Sequence, residues 1–486
     1  MEFISNKRIH SILSLFLPPF VGVIIGMFFL GSSLFTMMAV CLLPSLLLIK
    51  AKPEIGILAI VVLISSVFFE AWVPLIPIGV GSFNIADVIL LSLLCTILFN
   101  LVIDKEFRLI RTPLDKPLVL FYLAAIISAC IGIFQHHMDF HTTIRIFRIV
   151  TYYLLFFAVT NLIRDERQLR FLVKGLFFIG CIVGIAMLAQ ALLGESVRLM
   201  PGRIEKAGTF HMTFEATRVL PPGQTLVYVL FVTSVCLIAL DRKAFLKTGH
   251  YLLVFFTGIG VTLTYNRSYW VACIVCFIMF MLFTPIQARK RIVFKSLLLV
   301  LSVALILSLF LLSKPSGRAR EALTSISARF SSLFAAKELY DSDSLDYRRI
   351  ENRYALPKIA KNPLLGIGLG NEYRPKVFGP DDDLLYYIHN GYIWILMKTG
   401  LIGFVPFLWF FLGFIVRGFR NWKNIRNNYL RSLVTGFTLS GAGVALANIV
   451  NPMFMQWFSI VVLSIIIGLS EGIIRLNERE VLKQSE

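Results

Sequence analysis

The chain has 486 residues, of which 57% are hydrophobic and 15% charged. A soluble domain carries about 25% charged residues, so this composition, with a mean hydropathy of +0.79, excludes an ordinary globular protein. The formal charge of +19 reflects 47 Lys and Arg against 28 Asp and Glu. These charges are scattered over loops rather than gathered in one domain, which speaks against a nucleic-acid partner.

Apolar runs repeatedly reach the ~20 residues needed to cross hydrocarbon. In chain order they fall at 12–30, 33–50, 55–70, 84–103, 117–134, 144–163, 168–193, 222–240, 250–265, 268–284, 292–313, 391–416, 430–448 and 453–474. The expected fold is all-α, a single polytopic membrane domain over 1–486 with about 12–14 transmembrane helices. The 250–284 pair is short enough to form a hairpin of half-helices. The first run is followed by a second with no small-residue cleavage site between them, so it reads as a span rather than a cleaved signal.

Basic residues in the short loops set the orientation. Lys7-Arg8, Lys50 to Lys52, Lys105 to Lys116, Arg164 to Arg170, Asp241 to Lys247, Arg289 to Lys295 and Arg417 to Arg431 all fall on one side. The positive-inside rule makes that side the cytoplasm, with both termini there. No internal repeat is visible, which counts against transporters built from inverted halves.

The opposite side carries Phe69 to Phe83, the histidine-rich Gln135 to Thr143, Gly194 to Pro222, and a long polar excursion over 314–388. A loop of that length is functional or disordered. It contains helix-compatible stretches at Arg318 to Lys337 and Asp346 to Ala360, the second stopped by Lys361-Asn362-Pro363. The loop is therefore expected to form a helical cap. The Gly366-Ile367-Gly368-Leu369-Gly370 run that follows presents backbone N–H groups to a phosphate or forms a flexible turn. Asp381-Asp382-Asp383 has no paired histidine and reads as a solvated turn, so no metal site or other cofactor is expected. Seven cysteines (41, 95, 130, 181, 236, 273, 276) lie in or beside apolar runs. Cys273 and Cys276 share redox spacing, but within a membrane helix an i, i+3 pair is apolar surface.

The candidate chemistry lies in polar groups at the outer ends of spans. Arg145 and Arg148 share a helical face by i, i+3 spacing; they snorkel to headgroups or form a cationic pocket for a phosphate or diphosphate. Arg267 sits in Tyr265-Asn266-Arg267-Ser268-Tyr269-Trp270, a tight turn between two short spans, where a lone arginine marks a functional site. Arg348, Arg349 and Arg353 fall on the loop helix, with Asp346 and Glu351 available as surface partners. Lys398 enters the next span just before Gly400, as a partner for an anion or a group reaching a helix break. His389-Asn390-Gly391-Tyr392 closes the long loop at the mouth of an apolar segment. An imidazole is the side chain a general base near neutral pH requires. No Ser-His-Asp triad, His-Glu-x-x-His, Walker or kinase motif is evident, and a reaction using no soluble nucleotide at the outer membrane face would draw its energy from a membrane-borne donor.

Lys361-Asn362-Pro363-Leu364-Leu365-Gly366-Ile367-Gly368-Leu369-Gly370-Asn371, then His389-Asn390-Gly391-Tyr392, then Gly400-Leu401-Ile402-Gly403 resembles the O-antigen ligase and O-antigen polymerase superfamily. Thr264-Tyr265-Asn266-Arg267-Ser268 looks like that family's Ser-Arg turn, with Asn266 in place of the small hydroxyl residue. The resemblance covers roughly Arg267 to Gly403. It implies a polytopic, glycosyltransferase C-like, metal-independent enzyme of the bacterial cytoplasmic membrane, using a polyprenyl-diphosphate-linked glycan as donor. By that resemblance Arg267 holds the donor diphosphate, with one of Arg145 and Arg148 and with Arg348 or Arg349; His389 activates the acceptor hydroxyl; Asn390 and Tyr392 line the substrate. The acceptor is another lipid-linked repeat, for a polymerase of a surface polysaccharide, or a lipid core or protein, for a ligase. A chain-length regulator or a flippase is the partner protein such an enzyme works with. The size of the cap favours a polymerase. A lipid-linked oligosaccharide flippase is the alternative of another class, and it requires charged residues along a central path, which this chain does not show.

Overall fold

The computed structural model describes residues 49–65, 67–69, 76–78, 81–135, 138–209, 212–241, 248–284, 286–287, 289–290, 293, 343–377 and 385–485. The span expected at 12–30, most of those at 33–50 and 292–313, the stretch Arg318 to Lys337 and Asp381-Asp382-Asp383 lie outside the described residues.

The remaining expected spans are all helical. They are α1 (Pro53–Ile64), α2 (Ile85–Ile103), α3 (Asp115–Cys130, continued by a π-turn at Ile131–Gln135), α4 (Phe140–Thr151), α5 (Leu155–Leu162), α6 (Glu166–Leu193), α7 (Gln224–Leu240), α8 (Thr248–Leu263), α9 (Arg267–Phe283), α11 (Gly391–Asn421), α12 (Asn428–Ala447) and α13 (Trp457–Ser485). The polar helix α10 (Asp343–Lys361) stands in the long loop and stops at Lys361, where Asn362-Pro363 follows. Counting α4 and α5 as one span, seven helices among the described residues are long and apolar enough to cross a membrane, and α1, α7, α8 and α9 are shorter apolar helices. The chain is an all-α polytopic membrane protein. Two strand hairpins are the departure from that reading: β1 (Ile76–Ile78) with β2 (Gly81–Phe83), and β3 (Arg203–Thr209) with β4 (Met212–Leu220), both antiparallel. The second fills the stretch between α6 and α7 and packs on α6 and α8.

In lipid, helix association rests on close packing and interhelical hydrogen bonds rather than on expelling water. α12 and α13 are the most enclosed spans. A Cβ at Gly436 would meet the Thr233 backbone of α7, and one at Gly443 the Tyr228 ring, so small residues on α12 set its distance from α7. Cys276 donates to the Leu439 carbonyl at 3.0 Å and lies 3.3 Å from the Tyr228 hydroxyl, a packing role that matches the structural reading of the Cys273/Cys276 pair. The six described cysteines are free thiols.

Arginines staple one end of the bundle. Arg164 donates to the Arg108 carbonyl at 2.9 Å, Arg475 to the Thr160 carbonyl at 2.9 Å, Arg417 pairs with Glu471 at 2.7 Å, and Arg170 stacks 4.5 Å over the Tyr429 ring. The loops expected to share a side at 105–116, 164–170 and 417–431 therefore meet.

At the other end, α11 is broken at Gly400, whose φ of 62° lies in the left-handed region. The break releases backbone groups that lipid cannot satisfy. The glycine run supplies their partners: Ile367 N–H donates to the Met397 carbonyl at 2.8 Å, Gly368 to Lys398 at 3.1 Å, and Leu401 donates back to Pro363 at 2.9 Å. Leu369 donates to the Ser128 carbonyl of α3 at 3.1 Å. The run is thus neither a phosphate cradle nor a flexible turn, because these N–H groups are committed to carbonyls. Lys398, fully buried, donates its ammonium to the Asn371 carbonyl, so of its two expected roles it serves the helix break.

A Cβ at Gly400 would collide with the Leu364 carbonyl in addition to the left-handed strain. Gly400→Ala is expected to destabilise the protein by about 3 kcal/mol or more, read as a lowered unfolding temperature in detergent; an unchanged temperature would contradict the clamp.

Candidate active site

His389 enters the site through local backbone chemistry. Asn390 is the N-cap of α11, its side-chain oxygen accepting from Tyr392 N–H at 3.0 Å and Ile393 N–H at 3.1 Å. Gly391 N–H donates to the Asn448 carbonyl at the end of α12 at 3.0 Å, and the Tyr392 hydroxyl donates to the Ala445 carbonyl at 2.8 Å. The side chains of Asn390 and Tyr392, expected to line substrate, are engaged within the fold, and they fix where His389 stands.

Glu351 of α10 closes on that histidine. Its side chain is 1% exposed, its Oε1 lies 2.9 Å from His389 Nδ1, and its Oε2 accepts the His389 backbone N–H at 2.9 Å. A carboxylate only accepts hydrogen bonds, so in the neutral imidazole the proton sits on Nδ1 and Nε2 is the acceptor. Tyr347 and Tyr387 flank the imidazole edge-on, with centroids at 5.4 and 5.1 Å. Burial first, then the Glu351 charge, pushes the Tyr387 hydroxyl up to about 12, so it stays protonated.

Arg348 lies one turn before Glu351 on the same helix. Its guanidinium donates to the Val450 carbonyl at 3.0 Å, and its Nε is buried with no hydrogen-bond partner among the described residues. Burial pulls it below the usual arginine range; Glu351 and Tyr387 oppose this, and the nearby charge of Arg267 adds to it. Arg349 turns away to an exposed pair with Asp346 at 2.8 Å. Of that arginine pair, the fold brings Arg348 alone to the histidine.

Arg267 is the first residue of α9. Asn266 caps the helix, accepting from Ser268 N–H at 3.2 Å and from its hydroxyl at 2.7 Å. Asparagine performs the N-cap function as well as serine, so the turn geometry survives that substitution. Tyr265, buried just before it, has φ 48° and is the single non-glycine with positive φ among the described residues. A cation at a helix N-terminus opposes the macrodipole, and strained backbone held by its surroundings marks functional sites. Both features fit a place prepared for an anion.

Arg218 of β4 was not apparent from the sequence, where Gly194 to Pro222 shows no regular pattern. Strand pairing sets it opposite Glu205. It holds that carboxylate at 2.9 Å and donates to the Thr264 carbonyl at 2.9 Å, at the end of α8. Burial lowers its pKa from the usual arginine value; Glu205 opposes this, with Arg203 and then Arg267 adding repulsion. Arg267 therefore lies within electrostatic reach of both Arg218 and Arg348, and Arg348 within reach of Glu351.

Arg145 and Arg148 part company. Arg148 pairs with buried Asp87 at 3.5 Å, a carboxylate that also accepts from Tyr152 at 2.6 Å and from the Asn84 N–H at 2.7 Å in the capping box of α2. Arg145 is exposed and close enough to Tyr386 to act on its hydroxyl.

Residues 252–408 match the family model described as O-antigen ligase, a stretch that holds Arg267, Arg348, Glu351 and His389. Curated proteins give no match.

Glu351→Gln keeps the size and one acceptor but cannot hold the same imidazole tautomer through both contacts. Its kcat is expected to fall by about a hundredfold or more, with unchanged membrane expression and thermal stability. A variant with wild-type turnover would remove Glu351 from the site.

Proposed function

We propose that this chain, a member of the O-antigen ligase/polymerase superfamily, polymerises polyprenyl-diphosphate-linked oligosaccharide repeats at the outer face of the bacterial cytoplasmic membrane. The coarser statement, a membrane enzyme of ligase/polymerase type with glycosyl-transfer activity on a lipid-linked donor, follows from the family. The glycosyl-transfer part of this reading is carried by the buried Glu351–His389 pair beside Arg348, and the preference for a polymerase rests on the size of the long loop over 314–388.

In the proposed reaction Glu351 holds His389 by Nδ1–H, and Nε2 takes the proton of the acceptor hydroxyl as its oxygen bonds to the anomeric carbon. The bond from that carbon to the diphosphate breaks, and its electron pair leaves with the diphosphate. Direct displacement inverts the anomeric configuration. The charge released there is met by Arg267 and Arg348, with Arg218 behind Arg267. Guanidiniums fixed before the reaction need no reorganisation as that charge develops, which makes them effective at a leaving group. Exposed Arg145, beside Tyr386, stands where an incoming glycan reaches the site. The bilayer is the remaining partner. The basic end of the bundle is assigned to the cytoplasm, with both termini, on the charge bias of its loops.

A ligase is the second reading, and the description of the matched family favours it. Membranes supplied with the native lipid-linked glycan separate the two on a product gel. A ladder of growing lengths that disappears in His389→Ala and drops about a hundredfold or more in Arg267→Ala is the expected outcome. Transfer to a lipid core or protein without new repeat lengths identifies a ligase. A full ladder in both variants refutes the site.

A further inference from the structure

The basic end of the bundle encloses a cavity of about 250 Å³ lined by Arg111, Thr112, Arg417, Glu471, Gly472 and Arg475, among others. A water molecule occupies ~30 Å³ of liquid, so the space holds a group far larger than one water. Gly472 is buried, yet a Cβ built on it meets nothing within 4 Å. A buried helix position with open space where its side chain belongs faces a void, and here that void is this cavity.

The walls are charged and rigidly held. Arg417 and Glu471 neutralise each other through two contacts, at 2.7 and 2.9 Å. Arg475 spends its terminal nitrogens on the Thr160 and Ile163 carbonyls at 2.9 and 3.0 Å, and its Nε is buried with no hydrogen-bond partner among the described residues. Carbonyls do not cancel its charge. Arg479 and Arg164 act on Arg475 with the same sign, and Glu471 with the opposite one. Arg111 is exposed at the rim, as is Glu478, the remaining acid of the lining. On the loop, Thr112 is occupied by Asp115 at 2.7 Å, which leaves the arginines as the available donors. The lining carries three arginines against two glutamates, one of these paired with Arg417, and there is room beside the Arg475 guanidinium.

We propose that this cavity binds a phosphate group, carried by an anionic phospholipid of the leaflet at the basic end or present as a free phosphate. Arg475 and Arg111 are the donors, and Gly472 is absent of a side chain so that the group fits. A basic recess between membrane helices at the cytoplasmic surface is the setting in which anionic headgroups are held. The site lies at the opposite end of the bundle from His389 and takes no part in the transfer reaction.

The full chain, purified in a phosphate-free sugar detergent, is titrated with phosphatidylglycerol, phosphatidylcholine or inorganic phosphate. Unfolding temperature and native mass spectra are followed for wild type and Gly472→Leu. Leucine projects into the cavity while every arginine of the lining is kept, and replacing a helical glycine does not weaken the helix. A rise in wild-type unfolding temperature with phosphatidylglycerol and one retained lipid, both absent in Gly472→Leu, supports the site and names the lipid as source. The same contrast with inorganic phosphate alone supports the site with a soluble source. Equal responses of the two proteins to every ligand overturn it. If Gly472→Leu does not fold, Arg111→Gln at the exposed rim carries the test: a loss of about tenfold in affinity supports the site, and unchanged affinity overturns it.

Discussion

The break in α11 at Gly400 is the constraint from which the rest of the site follows. A helix interrupted inside a bilayer leaves carbonyls that neither lipid nor water can satisfy. Met397 and Lys398 find donors in the backbone of 367–368, and the Lys398 ammonium answers from its side with the Asn371 carbonyl. Only a chain with left-handed dihedrals at Gly366, Gly368 and Gly370 can lie that close. The loop is thereby bolted into the membrane domain immediately after α10. That attachment, with the Arg348 contact to the Val450 carbonyl, gives α10 a fixed place and sets Glu351 onto His389.

The electrostatics of the site make sense as a consequence. A buried carboxylate and three arginines are costly to hold near an apolar phase. Glu351 is committed to His389 through both oxygens, and its charge partly offsets the burial of Arg348. Glu205 serves Arg218. Arg348 is held by the Val450 carbonyl with its Nε buried and without a hydrogen-bond partner among the described residues, and the charge of Arg267 acts on it with the same sign. Such an arrangement is stable only because the scaffold is rigid, and an anionic group with several oxygens relieves it. A diphosphate ester has that form.

Much of this was legible in the sequence, and the rest was hidden for physical reasons. Length and hydropathy locate the spans within a few residues: 84–103 became Ile85–Ile103, and 168–193 became Glu166–Leu193. His389 and Arg267 stand out because polar groups at the mouths of apolar runs are rare. Glu351 did not, since an acid on a polar helix reads as a partner for neighbouring arginines, and only the folded loop reveals that it faces a residue 38 positions away. Arg218 lies on a strand whose register no local pattern betrays. Arg148 was indistinguishable from Arg145 until Asp87, far upstream, claimed one of them. The glycine run gave a signal, but its meaning depended on a helix break in another segment.

The distribution of polar groups through the bundle bears on enzyme against transporter. A flippase needs a polar track along which headgroup and sugars pass. Within the described spans, the buried hydroxyls of Thr257, Ser440, Ser464 and Ser470 are bonded to carbonyls of their own helices, at 2.6, 3.0, 2.7 and 2.7 Å. The Lys398 charge is bound to the loop clamp. Ionised clusters stand at the two ends, with aromatic packing between them: Tyr153, Phe407, Phe410, Phe411 and Phe454 stack or meet edge to face in one contiguous block. Among the described residues, a substrate passing between α3, α5, α11 and the 453–455 turn would have to part that block. A lipid-linked glycan held at one end, with its diphosphate against arginines and its sugar beside His389, needs no such passage, and this is the arrangement a transferase requires.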